Sequence, residues 1–177
     1  MAIFSRTAVA PLPGLLYEEG MKILVLGLGN PLVTDDSVGL RVAAELKTLL
    51  ADRPEVEVSE DYWGGLRLME RMAGFDRAIV VDAISTGAPP GTIHKLGVAS
   101  LPTQHSASAH DVNLPTALAL GRQTGVPLPR DEDILLVGIE AEDVVTFGER
   151  CTPAVEAAIA PAVRTVVQAV EAFLGSQ

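Results

Sequence analysis

The chain is short of cysteine, of positive charge and of long apolar runs, and each shortage closes off a class of function. Of 177 residues, only Cys151 is a cysteine. Neither an internal disulfide nor a cysteine-rich zinc site can be built from it, and the count fits a reducing cytoplasm. Lysine and arginine number 13 against 23 aspartates and glutamates, a formal net charge of −10. Such a chain is repelled by a phosphate backbone and by anionic membrane surfaces, so nucleic acid and membranes are not expected as partners. A basic protein segment or a metal cation suits it better. No apolar run approaches the length of a membrane span. Residues 1–20 contain Arg6 but no sustained apolar stretch, and Pro11 and Pro13 interrupt them, so they do not read as a secretory signal.

The regular pattern begins at Met21. Residues 1–20 are therefore expected to be a poorly ordered extension, and 21–177 a single domain of ordinary globular composition. Lys22–Gly27 is a short apolar run that ends at glycine and reads as a buried parallel strand. From Ser37 the spacing becomes helical, with Val38, Val42 and Leu46 on one face. Thr34, Asp35 and Asp36 offer that helix N-cap oxygens and acidic charge. Glu55–Glu60 alternates as a half-exposed strand does, and Gly64–Gly65 opens a helix carrying Leu66, Leu68, Met69 and Met72. Arg77–Asp82 is a second buried strand, ending on a carboxylate.

Gly87–Gly91 is a turn, Thr92–Leu96 a further strand, and residues 97–110 irregular. A helix is expected from about Asp111 to Thr124 and a third buried strand over Ile134–Ile139. Thr152–Pro153 starts a long helix, with threonine as its cap and proline at its first position. Strands and helices mostly alternate. The pattern predicts a three-layer α/β sandwich, a mostly parallel twisted sheet of about five strands with helices on both faces. Ligands in such folds bind outside the carboxyl ends of the strands. Gly27 to Asn30, Asp82 onward and Gly138 to Glu140 fall there.

Several chemistries compete for that edge. Gly27 and Gly29 begin a dinucleotide fingerprint, but Leu32 stands where its third glycine belongs. Asp35 and Asp36 also place negative charge where a pyrophosphate would sit. Cys151 precedes a helix start, which can activate a thiol, although a lone cysteine is more often a small core residue. Ser106 and Ser108 neighbour His105 and His110, yet no GxSxG elbow exists. The third candidate is a metal site of Asp36, Asp82 and His110. Two carboxylates and an imidazole suit a borderline divalent ion and leave positions open for water or substrate. Helix capping for Asp36 and His110, and a solvated strand end for Asp82, are the alternatives.

The run GLGNPLVTDDSVGLRV, from Gly27 to Val42, resembles the opening of the maturation endopeptidases of nickel–iron hydrogenases. Further matches follow in order: Gly64–Gly65, Val81–Asp82–Ala83, Ser108–Ala109–His110, Leu136 to Glu140, and Thr152–Pro153–Ala154–Val155. The resemblance covers Met21 to about Leu174. It implies an enzyme that removes a C-terminal extension from the precursor of the hydrogenase large subunit after nickel insertion. It also implies metal ligands and catalytic groups at Asp36, Asp82 and His110, with nickel brought by the substrate. Another divalent ion can take nickel's place in a purified protein. The family often has glutamate at the first of these positions, so Asp36 is a departure that keeps the carboxylate. His105 competes with His110, which the Ser-x-His context favours. Two other readings stay open. One is a non-catalytic nickel or maturation chaperone. The other is a peptidyl-tRNA hydrolase, whose Gly-Leu-Gly-Asn-Pro opening matches but whose following histidine is missing here.

Overall fold

The computed structural model describes residues 20–62, 66–100 and 114–176. The expected extension 1–20 therefore lies, but for Gly20, outside the described residues. Five strands and four helices follow in chain order: β1 (Ile23–Leu28), α1 (Val38–Leu49), β2 (Val56–Asp61), α2 (Leu66–Met72), β3 (Arg77–Ile84), β4 (Ile93–Gly97), α3 (Leu114–Gln123), β5 (Ile134–Glu140) and α4 (Pro153–Gly175). The strands form one sheet in the order β2-β1-β3-β5-β4. Its first three pairings are parallel and the β4–β5 pairing is antiparallel. The expectation of a mostly parallel five-stranded sheet is borne out.

Every residue of β1 is buried, as its unbroken apolar run requires of a central parallel strand. Alternate side chains serve two cores. Ile23, Val25, Ile79, Val81, Val137 and Ile139 meet α1 and α4 on one face. Leu24, Leu26, Leu28, Ala78, Val80 and Ile134 meet α2 and α3 on the other. Each fully buried Leu, Ile or Val contributes about 1.5–3 kcal/mol relative to exposure. These two cores make the three layers. β3 runs two residues beyond Asp82, to Ile84, because Ile84 and Glu140 still pair across the ladder. Asp82 thus lies within the strand rather than at its end. Residues 98–100 form a 3₁₀ turn, so part of the stretch expected to be irregular is ordered.

α4 is 23 residues long and apolar enough, by length and mean hydropathy, to cross a membrane. Its strongly apolar stripe faces inward instead: Val155, Ala158, Ile159, Ala162, Val163, Val166 and Val170 are all buried in the core shared with α1. No apolar run stood out in the sequence because Glu156, Arg164, Gln168 and Glu171 interrupt it.

The close seating of α1 depends on glycine. A Cβ on Gly39 would lie 2.3 Å from the Leu28 carbonyl oxygen and 2.4 Å from that of Val81. The first turn of α1 therefore rests directly on the carboxyl ends of β1 and β3. Gly39→Ala is expected to lower stability by about 1–3 kcal/mol, the usual cost of overpacking. Gly97→Ala, where a Cβ meets nothing within 4 Å, should leave the urea midpoint nearly unchanged. Equilibrium urea unfolding of the two variants checks both outcomes.

Candidate active site

The main chain between β1 and α1 folds back on itself. Gly29 has φ of 146°, and a Cβ there would stand 1.8 Å from the carbonyl oxygen of Asp36. Only glycine allows that backbone conformation and that approach together. The Asn30 N–H donates to Asp36 Oδ2 at 2.9 Å, while Asn30 Oδ1 accepts the Leu32 N–H at 3.0 Å. Residues 35–37 form a 3₁₀ turn leading into α1, and that turn packs against β3. Asp36 is thereby held, 8 % exposed, at the carboxyl edge of β1 and β3. Asp82 stands on β3 at the same edge, opposite Gly138 of β5. Its Oδ1 accepts the Ala83 N–H at 2.9 Å, and the side chain is partly exposed. His110 and its competitor His105 lie outside the described residues. Among the described residues, no three His, Cys, Asp or Glu side chains stand close enough to hold a metal ion.

The two adjacent aspartates divide their roles. Asp35 is fully buried and caps neither α1 nor its own turn. Its carboxylate accepts four hydrogen bonds from the far end of the chain. The Glu142 and Asp143 N–H groups donate to Oδ2, both at 2.9 Å. The Thr152 N–H donates to Oδ1 at 2.7 Å and the Thr152 hydroxyl to Oδ2 at 3.0 Å. The sequence predicts Thr152 as the cap of α4. Thr152 does hold the N-cap position, with Pro153 next, but its hydroxyl makes no capping bond. It turns instead to Asp35, whose carboxylate occupies the positive end of α4. Nothing in the spacing of Asp35 and Asp36 says which is which. The usable signal was that neighbouring residues on a tight turn cannot face the same way.

Cys151 lies beside this clasp, its Sγ 3.7 Å from Ser37 Oγ. Burial pushes the thiol up, against the opposing pull of the Ser37 hydrogen bond and the Arg41 guanidinium. A neutral, buried thiol is a core residue and not a poised nucleophile.

Sequence reading set Glu140 at the ligand edge but gave it no role of its own. Alternation along β5 places it on the same face as Gly138 and Leu136, and it is 2 % exposed. Its Oε1 accepts the N–H groups of Thr86 and Gly87, and its Oε2 the Thr86 hydroxyl, each at 2.7 Å. His94 Nε2 stands 3.4 Å away, buried and without a hydrogen bond. Burial raises the Glu140 carboxyl, but the bonds from Thr86 and Gly87 and the nearby His94 outweigh it and hold the group below the ordinary glutamate range. The bonds also fix the turn that carries the chain from β3 toward β4, just past Asp82.

Carboxylates gathered over the carboxyl ends of a mostly parallel sheet stand where ligands bind in the open α/β class of protein. Comparison with known proteins narrows it. The family model for hydrogenase maturation proteases matches residues 40–169. A hydrogenase 2 maturation protease of Escherichia coli is 36 % identical over 154 residues, covering 84 % of this chain and 90 % of that one. The solved structure of the hydrogenase maturating endopeptidase HybD from E. coli superposes with a TM-score of 0.71 at 32 % identity, covering 86 % of this chain and 94 % of that chain. The HybD maturation protease of Thermococcus kodakarensis superposes with a TM-score of 0.60 at 27 % identity, over 84 % of this chain and 99 % of that chain. The chain belongs to the hydrogenase maturation protease family. It is accordingly an endopeptidase of hydrogenase maturation.

Two expectations follow from the geometry. Asp35→Ala leaves the Glu142, Asp143 and Thr152 N–H groups without their acceptor and should cost about 3 kcal/mol or more, read as a fall in the thermal midpoint. Glu140 gives a pH dependence of known sign. Its native carboxyl titrates lower than in the unfolded chain, so the unfolded chain takes the proton first. The stabilisation is present at neutral pH and is lost as pH falls through the native value. Unfolding free energy measured from neutral pH into the carboxylate range should fall less steeply in Glu140→Gln than in the native chain.

Proposed function

We propose that the chain removes the C-terminal extension of a nickel–iron hydrogenase large-subunit precursor after nickel insertion, in the cytoplasm. Nickel arrives as part of the substrate and marks it as ready for cutting. The observation that carries this reading is the placement of Asp36 and Asp82 at one carboxyl edge of the sheet, in a chain of this family. His110 is the third member of the proposed set.

The donor set suits the task. Asp36 has one oxygen engaged by the Asn30 backbone, which orients the carboxylate. Carboxylate and imidazole ligands accept a borderline ion such as Ni²⁺ without cysteine. Water is the attacking group in this reading, and the burial that pushes the Cys151 thiol up agrees with it. A carboxylate of the pair takes the water's proton as the scissile carbonyl is attacked. Asp36 in place of the more frequent glutamate shortens the reach by one methylene. The absence of a Cβ on Gly29 lets the Asp36 backbone lie against the start of the loop.

Incubation of the purified protein with nickel-loaded precursor should give the shortened large subunit on a gel and by mass spectrometry. Asp82→Ala and His110→Ala should each slow processing at least about a hundredfold, the lower range for losing an acid–base group. Precursor without nickel should stay uncut. Normal processing by both variants would overturn the site, and equal cutting of both precursor forms would overturn the role of nickel.

A further inference from the structure

Large apolar side chains are exposed unevenly over the molecule. Among the described residues seven such side chains are exposed: Leu32, Leu49, Tyr62, Leu66, Leu120, Val145 and Phe147. Five of the seven, all but Leu49 and Leu120, sit at the carboxyl edge of the sheet, after β1, β2 or β5. The most exposed are Val145 at 81 %, Phe147 at 78 % and Leu32 at 65 %. Exposed apolar side chains gathered on one side mark an interaction surface more often than single ones do.

Val145, Phe147 and Leu32 are not on a loose loop. Val33 and Phe147 form an antiparallel bridge, flanked by bonds from the Thr34 N–H to the Thr146 carbonyl and from the Gly148 N–H to the Leu32 carbonyl. Asp143 Oδ1 accepts the N–H groups of Val145 and Thr146, which shapes the turn before the bridge. Asp35 anchors the start of the same loop at Glu142 and Asp143. In this pairing the N–H and C=O of Phe147 point away from Val33, toward an edge of the ribbon that pairs with no other strand among the described residues. An open edge of this kind takes an extended segment by main-chain hydrogen bonds, with side-chain contacts supplying choice.

We propose that this ribbon, with Leu32, Val145 and Phe147, is the docking surface for an extended apolar segment of the large-subunit precursor that carries basic residues. Two observations select that occupant. The ribbon is continuous with the edge that holds Asp36, one turn away along the same loop. Exposed Glu142 and Glu149 flank the patch, with Arg150 beside Glu149, and the net charge of −10 over the chain favours a basic partner. The inference rests on the precursor being the substrate, and it adds where the precursor is gripped.

The test uses the full chain carrying Asp82→Ala as the common parent, so that precursor is not cut, and reads binding relative to that parent by biolayer interferometry. Adding Val145→Ser and Phe147→Ser should weaken binding about tenfold or more, as loss of apolar anchors does. Adding Leu49→Ser, at the opposite edge, should leave it unchanged. Without Asp82→Ala, the two patch substitutions should raise KM for processing by a similar factor and leave kcat within about twofold, while circular dichroism stays native. Equal binding in the patch variant and its parent would overturn the docking surface and leave the peptidase reading standing. Binding that depends on the patch, from a wild-type chain that never cuts, would uphold the surface and overturn the peptidase reading. Self-association in sedimentation that is lost with Phe147→Ser, with precursor binding unchanged, would assign the patch to a second copy of the chain and overturn the proposal.

Discussion

A single buried carboxylate organises the functional end of this protein. Asp35 accepts hydrogen bonds from three backbone N–H groups and one hydroxyl, all from residues more than a hundred positions away. A charged group in the interior is costly unless its oxygens are filled, and here Oδ1 accepts one hydrogen bond and Oδ2 three. The carboxylate closes three joints at once: the turn after β1, the loop after β5 and the start of α4. Asp36 next to it, Val145 and Phe147 on the loop, and the first turn of α4 take their places from that one set of bonds. Asp36 stands at the edge while Asp35 turns inward to the clasp.

Close backbone contact supplies the rest of the positioning. Gly29 lets the chain at Asp36 lie against the start of the loop, and Gly39 lets α1 rest on the ends of β1 and β3. The sheet then orders the neighbouring strands by register. Asp82 faces Gly138, and Glu140 lies two residues farther along the same strand. Glu140 holds the turn after β3 much as Asp35 holds the loop after β5. Two buried carboxylates therefore frame Asp36 and Asp82, and each framing group accepts backbone N–H groups together with one threonine hydroxyl.

The layers of the fold were legible in the sequence because they follow hydrophobic period. β1, β3 and β5 read as unbroken apolar runs, α1 and α4 as helical stripes, and their alternation required parallel strands with helices on both faces. Boundaries were less legible. β3 outran Asp82 because the ladder to β5 extended it, which only the partner strand reveals. The carboxyl edge was legible, and so was the presence of Asp36 and Asp82 on it, while their chemical role rests on the proposal above. The division of labour between Asp35 and Asp36 was not, because a capping aspartate and a clasping one have the same sequence context. The donors to Asp35 lie at 142, 143 and 152, and no local pattern at 35 announces them. Thr152 shows the same limit in reverse: its position before proline was read correctly, while its hydroxyl answers to a residue 117 positions away.

That separation has a consequence for how the domain comes into being. The acidic turn is among the first parts of the domain to be synthesised, yet the groups that fix it are among the last. Closing a loop of this length carries an entropic cost that local contacts cannot offset, so the clasp belongs to the late steps of folding. A nascent chain ending before Thr152 holds β1, α1 and β3 but lacks two of the donors that set the turn. The turn after β1 is thus completed only once the chain extends through Thr152.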